Sequence, residues 1–366
     1  MSDPQFALDL RKAAASAWDQ TSGQLQEALQ KNLVVAFMGS ASSGKDSGIR
    51  ALFGIDFGDI SPVPGSTREL RAAKLDADGQ VMLLNAPGFG DVREEVDAVA
   101  RQAVEMVDIF VYVVNAEGGA TADERRDLEW IRKLGRPVLV CLNKIDLIRP
   151  SERQGFVSAT LAQLEVEPKD SVITAFAPHP KLSPEPIGVE YVIDWVGRRL
   201  EESGKTLLFA KYLRNKAAAC EPIIQSAAKT ASLAGAVPIP GADIVAVTAI
   251  QVKLIRDIAT VHGQALDKDM VAFILAELLA GGMRGFVRWG VNGLKAAGWV
   301  PGGQFAEAAI LALSATVAGA TTYGVGKATV AWLQSGRKLE GDALRAAFDV
   351  AAFAWKDRSA GASTTP

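Results

Sequence analysis

Residues 39–45 read Gly-Ser-Ala-Ser-Ser-Gly-Lys and directly follow the apolar run Leu33–Met38. Glycine at each end lets the backbone curl until successive amides point inward, which makes a nest for an anion. A helix opening at Lys45 adds the partial positive charge of its N-terminus. In such a strand–loop–helix, Gly39, Ser40, Ala41, Ser42, Ser43 and Gly44 cradle phosphates, and the Lys45 ammonium reaches the β- and γ-phosphates of a nucleoside triphosphate. An ordinary glycine turn would leave the terminal Gly-Lys unexplained. The next position normally carries a Ser or Thr hydroxyl for Mg²⁺. This chain has Asp46 there, and Ser47, one residue on, is turned about 100° away on a helix.

Four more short motifs follow in order. In Gly65-Ser66-Thr67-Arg68, Thr67 offers a carbonyl and a hydroxyl able to sense γ-phosphate and Mg²⁺. In Asn85-Ala86-Pro87-Gly88, the Gly88 amide can contact γ-phosphate, and Asn85 stands where an Asp ordinarily orients the metal. Asn143-Lys144-Ile145-Asp146 discriminates best. Asp146 can accept from both N1–H and N2–H₂ of guanine, which adenine cannot reciprocate, and an unpaired carboxylate makes the mismatch costly. The Lys144 stem covers the base, and Asn143 ties this loop to the phosphate loop. Thr174-Ala175-Phe176 fits a loop whose Ala175 amide contacts guanine O6.

These motifs need a scaffold, and the apolar runs supply one. Leu33–Met38, Val81–Leu84, Ile109–Val114, Pro137–Leu142 and Ser171–Thr174 read as buried strands. Charged helical stretches separate most of them: Arg93–Val107, Ala122–Leu134, Ser151–Leu164 and Val189–Glu202. That alternation predicts an α/β fold with a mostly parallel sheet and helices on both faces. Before it, residues 4–30 read as one amphipathic helix, with Asp3 as N-cap and Pro4 at the first helical position. After about residue 205 the strands stop, and five or six Ala-rich helices are expected, interrupted at Pro238–Gly241 and Pro301–Gly303. The domain expectation is an N-terminal helix over 1–32, a nucleotide domain over 33–203, an all-α domain over 204–358 and a disordered tail over 359–366.

The chain has 366 residues, 49% hydrophobic and 22% charged, which suits a soluble protein with a packed core. Two cysteines make no disulfide framework and suggest a reducing cytosol. The acid-bearing N-terminus has no apolar core of the kind a signal peptide needs. His179 and His262 are too isolated to suggest a metal site. From Lys205 onward there are 17 Lys and Arg against 11 Asp and Glu, a surplus of six in a chain whose net charge is −3. A basic helical face of this kind is either a solvated surface or a contact for an anionic membrane. Nothing in the pattern points to nucleic acid. Ala308–Gly326 is free of charge and just long enough to span a bilayer. Its Ala, Gly, Ser and Thr content suits a buried helix in a close-packed bundle better.

With its five motifs in this order, Leu33 to about Leu200 resembles the Era-like branch of the translation-factor-related GTPases. The Pro64-Gly-Ser-Thr-Arg68 run and the Asn85-x-Pro-Gly88 site carry the resemblance furthest. It implies a Rossmann-like P-loop G domain around a six-stranded sheet, with GTP or GDP and Mg²⁺ as cofactors. Gly235 to about Leu339 resembles the helical domain of unknown function often found behind such G domains, through Val237–Val245 and Gln251–Ala259. The resemblance implies a slow GTPase switch, because Phe89 stands where many relatives place a water-orienting Gln. The catalytic group would then come from a homodimer through the G domain or from a protein effector. Lys45, Thr67 and Gly88 are its catalytic candidates, and Asp46, Thr67 and Asn85 its metal candidates. The alternative is a scaffold or membrane-associated adaptor that binds GTP or GDP without efficient hydrolysis. The expected location is the cytoplasm, with a peripheral position at the inner membrane face as its variant.

Overall fold

The computed structural model describes residues 4–57, 71–86, 105–236, 242–279 and 306–362. The expectations for Asp3, Gly65–Arg68, Pro87–Phe89, Pro238–Gly241 and Pro301–Gly303, and most of the helix expected over Arg93–Val107, lie outside them. The described chain groups into two compact units, one from Gln30 to Ala219, the other joining Met1–Leu29 to Cys220–Pro366.

In the first unit, six strands form one sheet: β1 (Leu33–Met38), β2 (Arg71–Lys74), β3 (Val81–Asn85), β4 (Ile109–Asn115), β5 (Val138–Asn143) and β6 (Ser171–Ile173). Their order is β2-β3-β1-β4-β5-β6. β1 runs parallel to β3, with Leu33 opposite Val81, and to β4, with Val35 opposite Ile109. β5 is parallel to β4 and β6 to β5. The sheet is therefore six-stranded and mostly parallel, as the resemblance implied. Central parallel strands are covered on both faces and so read as unbroken apolar runs. Phe37, Phe110 and Tyr112 are fully buried, and removing such a side chain from water stabilises by about 1.5–3 kcal/mol. β2 was not anticipated. Arg-Ala-Ala-Lys carries no apolar run, because it is an edge strand, antiparallel to β3, whose burial alternates along its length.

Among the described residues, helices α2 (Lys45–Phe53), α3 (Ala122–Lys133), α4 (Pro150–Leu164), α5 (Val189–Arg199) and α6 (Thr206–Tyr212) belong to this unit, with the start of α7 (Lys216–Gly235). Their starts follow local chemistry. α4 has Pro150 in its first turn. α3 opens on a capping box, in which Thr121 accepts from the Glu124 amide and Glu124 accepts from the Thr121 amide.

In the second unit, α1 (Pro4–Leu29), expected as a lead-in to the sheet, groups with α8 (Ala242–Val261), α9 (residues 268–279), α10 (Ala306–Gln334) and α11 (Gly341–Ala362). The Arg256 guanidinium of α8 lies 4.0 Å over the Trp18 ring and donates to the Trp18 carbonyl and the Thr21 hydroxyl. Lys268 pairs with Asp19 at 2.9 Å. On α10, a Cβ at Gly324 would meet the Phe348 ring of α11 at 2.8 Å, and Tyr323 stacks on Trp355 at 4.9 Å. Small residues thus bring α10 and α11 close together, which is why the charge-free segment is poor in large apolar side chains. Among the described residues no helix is long and apolar enough to cross a membrane. α11 runs to Ala362, past Ser359, where the tail was expected to begin.

Candidate nucleotide site

The phosphate-loop candidate lies at the carboxyl end of β1, where open α/β sheets place their ligands. Three residues take positive φ: Gly39 at 143°, Ser42 at 59° and Gly44 at 99°. Neither end glycine is replaceable. A Cβ at Gly39 would sit 2.1 Å from the Val113 carbonyl oxygen, and one at Gly44 would sit 2.2 Å from Asn143 Nδ2. Lys45 is buried, and its Nζ donates to the carbonyls of Gly39 and Ser40, each at 2.8 Å. The ammonium is thus held inside the loop at the N-terminus of α2.

Asn143, at the end of β5, braces three segments. Its Nδ2 donates to the Ser43 carbonyl at 2.8 Å, and its Oδ1 accepts from the Phe176 amide at 3.0 Å and the Thr174 hydroxyl at 3.3 Å. The phosphate loop, β5 and the loop after β6 therefore meet on one buried amide. Lys144 takes φ 64°, and its ammonium lies 3.2 Å from Glu117. Asp146 is half-buried in a short 3₁₀ turn and accepts from the His179 amide at 3.1 Å. The Ala175 amide, expected to face a base carbonyl, donates instead to the Ile187 carbonyl at 3.1 Å, and Ile187 donates back. The Phe176 ring lies against Gly48 of α2, where a Cβ would be 3.0 Å from it.

Asp46 and Asn85, the two positions with unusual residue types, are brought together. The Asn85 amide nitrogen donates to the Asp46 carboxylate. Asn85 is buried, and its Oδ1 has no hydrogen-bond partner among the described residues. An orphaned buried acceptor costs about 1–3 kcal/mol unless a ligand or water meets it. The Asp46 carboxylate and the unpartnered Asn85 Oδ1 are oxygen donors of the kind a hard cation such as Mg²⁺ takes. The residues present fit the metal. Thr67 and Gly88 lie outside the described residues, and among the described residues no group of three His, Cys, Asp or Glu could hold a metal.

Four contacts were not legible as site features: Glu117 on Lys144, Ile187 on Ala175, the His179 amide on Asp146, and Glu124 on the phosphate loop. The last is the most unexpected. Glu124 Oε1 accepts from the Ser40 hydroxyl at 3.1 Å, while Oε2 accepts from the Thr121 amide at 3.0 Å. Burial pushes its carboxyl above the usual carboxylate range, against the hydrogen bonds from Thr121 and Ser40. The Thr-x-x-Glu spacing announces a capping box, but nothing local announces that its second oxygen reaches a residue 84 positions away.

A glycine-bounded nest between strand and helix, a buried lysine within it and an Asn-Lys-x-Asp loop braced to it define a P-loop nucleotide domain of the GTPase class. Residues 34–144 match the family of 50S ribosome-binding GTPases, and residues 199–355 match a domain of unknown function. The chain therefore carries a segment similar to the GTPase domains of Era and Der, followed by a segment similar to that helical domain. GTPase Era of Aquifex aeolicus is 30% identical over 127 residues, covering 32% of this chain and 42% of Era. GTPase Der of Maridesulfovibrio salexigens is 30% identical over 156 residues, covering 40% of this chain and 35% of Der. These matches span less than half the length of either relative. Among solved structures, a variant of Aquifex aeolicus Era bound to GDP and AlF4⁻ matches at 22% identity. It covers 55% of this chain and 68% of that one, with a TM-score of 0.34.

Proposed function

We propose that this protein binds GTP and GDP with Mg²⁺, hydrolyses GTP slowly, and passes the state of its nucleotide to the helical domain. The observation that carries the reading is the Asn143 brace. It joins the phosphate loop, through Ser43, to the strand end that precedes Asp146, so one pocket takes a triphosphate at one end and a guanine at the other. In this reading Lys45 and the nest amides bind the β- and γ-phosphates, and Gly88 and Thr67 respond to the γ-phosphate. Asp146 accepts from the guanine edge, and with Ala175 engaged by Ile187, base selectivity rests on Asp146. Asp46 and Asn85 would hold Mg²⁺, which supplies neutralisation of phosphate charge when bound. Phe89 cannot orient a water, so hydrolysis is slow unless a second copy or an effector supplies the missing group.

One observation favours a second reading. Asp46 places a carboxylate at the start of α2, close to where a β-phosphate lies, and like charges a few ångström apart repel by about 1–4 kcal/mol in a partly solvated site. A scaffold or adaptor that keeps GTP intact would tolerate this. Nucleotide analysis of the purified protein, together with phosphate release under multiple turnover, separates the two. Slow release above background supports the switch, and bound GTP that persists without release supports the scaffold. We place the protein in the cytoplasm, with the basic helical domain as its candidate contact for an anionic membrane. Flotation with anionic but not neutral liposomes is the expected result, and equal recovery with both would remove that contact.

A further inference from the structure

Ser40 is held at two atoms. Its carbonyl accepts from the Lys45 ammonium at 2.8 Å, and its hydroxyl donates to Glu124 at 3.1 Å. The lysine contact belongs to the phosphate-binding loop itself. The glutamate contact does not, because Glu124 sits in the first turn of α3 and the cap of that helix uses only its other oxygen. A capping-box glutamate at an exposed helix end needs no third partner. This one is 2% exposed, and a carboxylate so far from water needs its hydrogen bonds. We propose that Glu124 is a positioning residue for the phosphate loop. It fixes Ser40 in the conformation that receives phosphate and couples occupancy of the loop to the N-terminus of α3.

The coupling follows from sharing. If Ser40 moves, Glu124 loses one of its donors while still buried, and the carboxylate must turn or be hydrated. Either change weakens its bond to the Thr121 amide. Conversely, a ligand that fixes the nest fixes Ser40, and through it both oxygens of Glu124. The capping box then becomes tighter with ligand bound than without, and the amides of the first turn of α3 report it. The neighbourhood keeps the carboxylate from finding a substitute partner. Asp123 beside it is of like charge and engaged with Arg126. Tyr112, on the adjacent strand, already donates to Asp127 at 2.7 Å.

This inference rests on the guanine-nucleotide reading above, and the test keeps the two apart. The probe is GDP carrying a fluorescent ribose label, measured on the full chain as wild type, Ser40→Ala, Thr121→Ala and the double variant Ser40→Ala/Glu124→Gln. Ser40→Ala removes the cross-contact and keeps both capping residues, Thr121 and Glu124. It should release the labelled nucleotide about 5–10-fold faster, the range of one hydrogen bond, and lower the melting temperature as well, because the buried Glu124 carboxylate loses a donor. Thr121→Ala weakens the cap and leaves Ser40 on Glu124, so it should lower the melting temperature and leave the release rate near wild type. Adding Glu124→Gln to Ser40→Ala should change release no further. In hydrogen exchange, GDP should protect the amides of residues 121–126 in wild type and not in Ser40→Ala. Wild-type release from Ser40→Ala, or equal protection in both proteins, overturns the proposal while leaving the nucleotide reading intact. Failure of the wild type to bind labelled GDP overturns both.

Discussion

At the scale of single residues, the site departs from the usual GTPase pattern at two positions that touch each other. A carboxylate stands where a hydroxyl is usual, at Asp46. An amide stands where a carboxylate is usual, at Asn85, and the two are hydrogen-bonded. If the metal ligand has moved across this contact, Asp46→Ala should lose most of the strengthening that Mg²⁺ gives to GTP binding. Titration with and without Mg²⁺ measures it, and an equal Mg²⁺ effect in mutant and wild type would contradict the exchange. Gly44→Ala is expected to cost about 1–3 kcal/mol for a side chain at φ 99°. Its methyl group would displace the Asn143 amide from Ser43, so nucleotide affinity should fall by more than tenfold. Thermal melts and titration of the same variant check both parts. Gly39, Gly44, Lys45 and Asn143 were legible in the sequence because their roles depend on near neighbours and strict spacing. Glu124, Glu117 and Ile187 were not, because each meets the site through a contact that only the folded sheet creates.

At the scale of elements, legibility followed burial. β1 was readable to the residue, since a strand covered on both faces leaves an unbroken apolar run. β2 was not, since an edge strand needs no such run. The start of the expected Ala122–Leu134 helix matches α3, though its Thr121 cap was not singled out. Thr121→Ala should cost about 0.5–2 kcal/mol of stability, seen as a lower melting temperature. Arg256 holds α1 to α8 through the Trp18 face and three oxygens. Arg256→Ala should destabilise by about 1–3 kcal/mol. Arg256→Lys should recover only part of that, because an ammonium cannot stack and fork as a guanidinium does. Full recovery by Lys in chemical denaturation would show that charge alone holds the helix. The partner of α1 was not legible, since an amphipathic helix shows that it packs but not on what.

At the scale of the whole molecule, the chain contains two compact units of opposite design. One is a sheet that ends in a ligand loop. The other is a helical assembly with charges inside it. Burial favours a neutral Glu221, but donation from Gln225 and Tyr323 and the charge of Lys327 outweigh it and hold the carboxyl below its ordinary 4.5. A lowered folded value stabilises above 4.5, and that contribution is lost as pH falls through the folded value. Glu221→Gln should therefore melt below wild type at pH 7, and the gap should narrow as pH falls below 4.5. A gap that widens in acid would contradict the assignment. Asp257, pushed up by burial despite Lys253, acts with the opposite sign and is common to both proteins. The measurement that bears most directly on the central claim is the base preference of the pocket. An Asp146 carboxylate accepts from both guanine donors, whereas an amide there pairs one donor with one acceptor, the pattern of xanthine. Wild type should bind GDP at least about 100-fold more tightly than ADP or XDP, and Asp146→Asn should reverse the order of GDP and XDP. Equal binding of GDP and ADP by the folded wild type, or an Asp146→Asn variant with unchanged preference, would contradict the account.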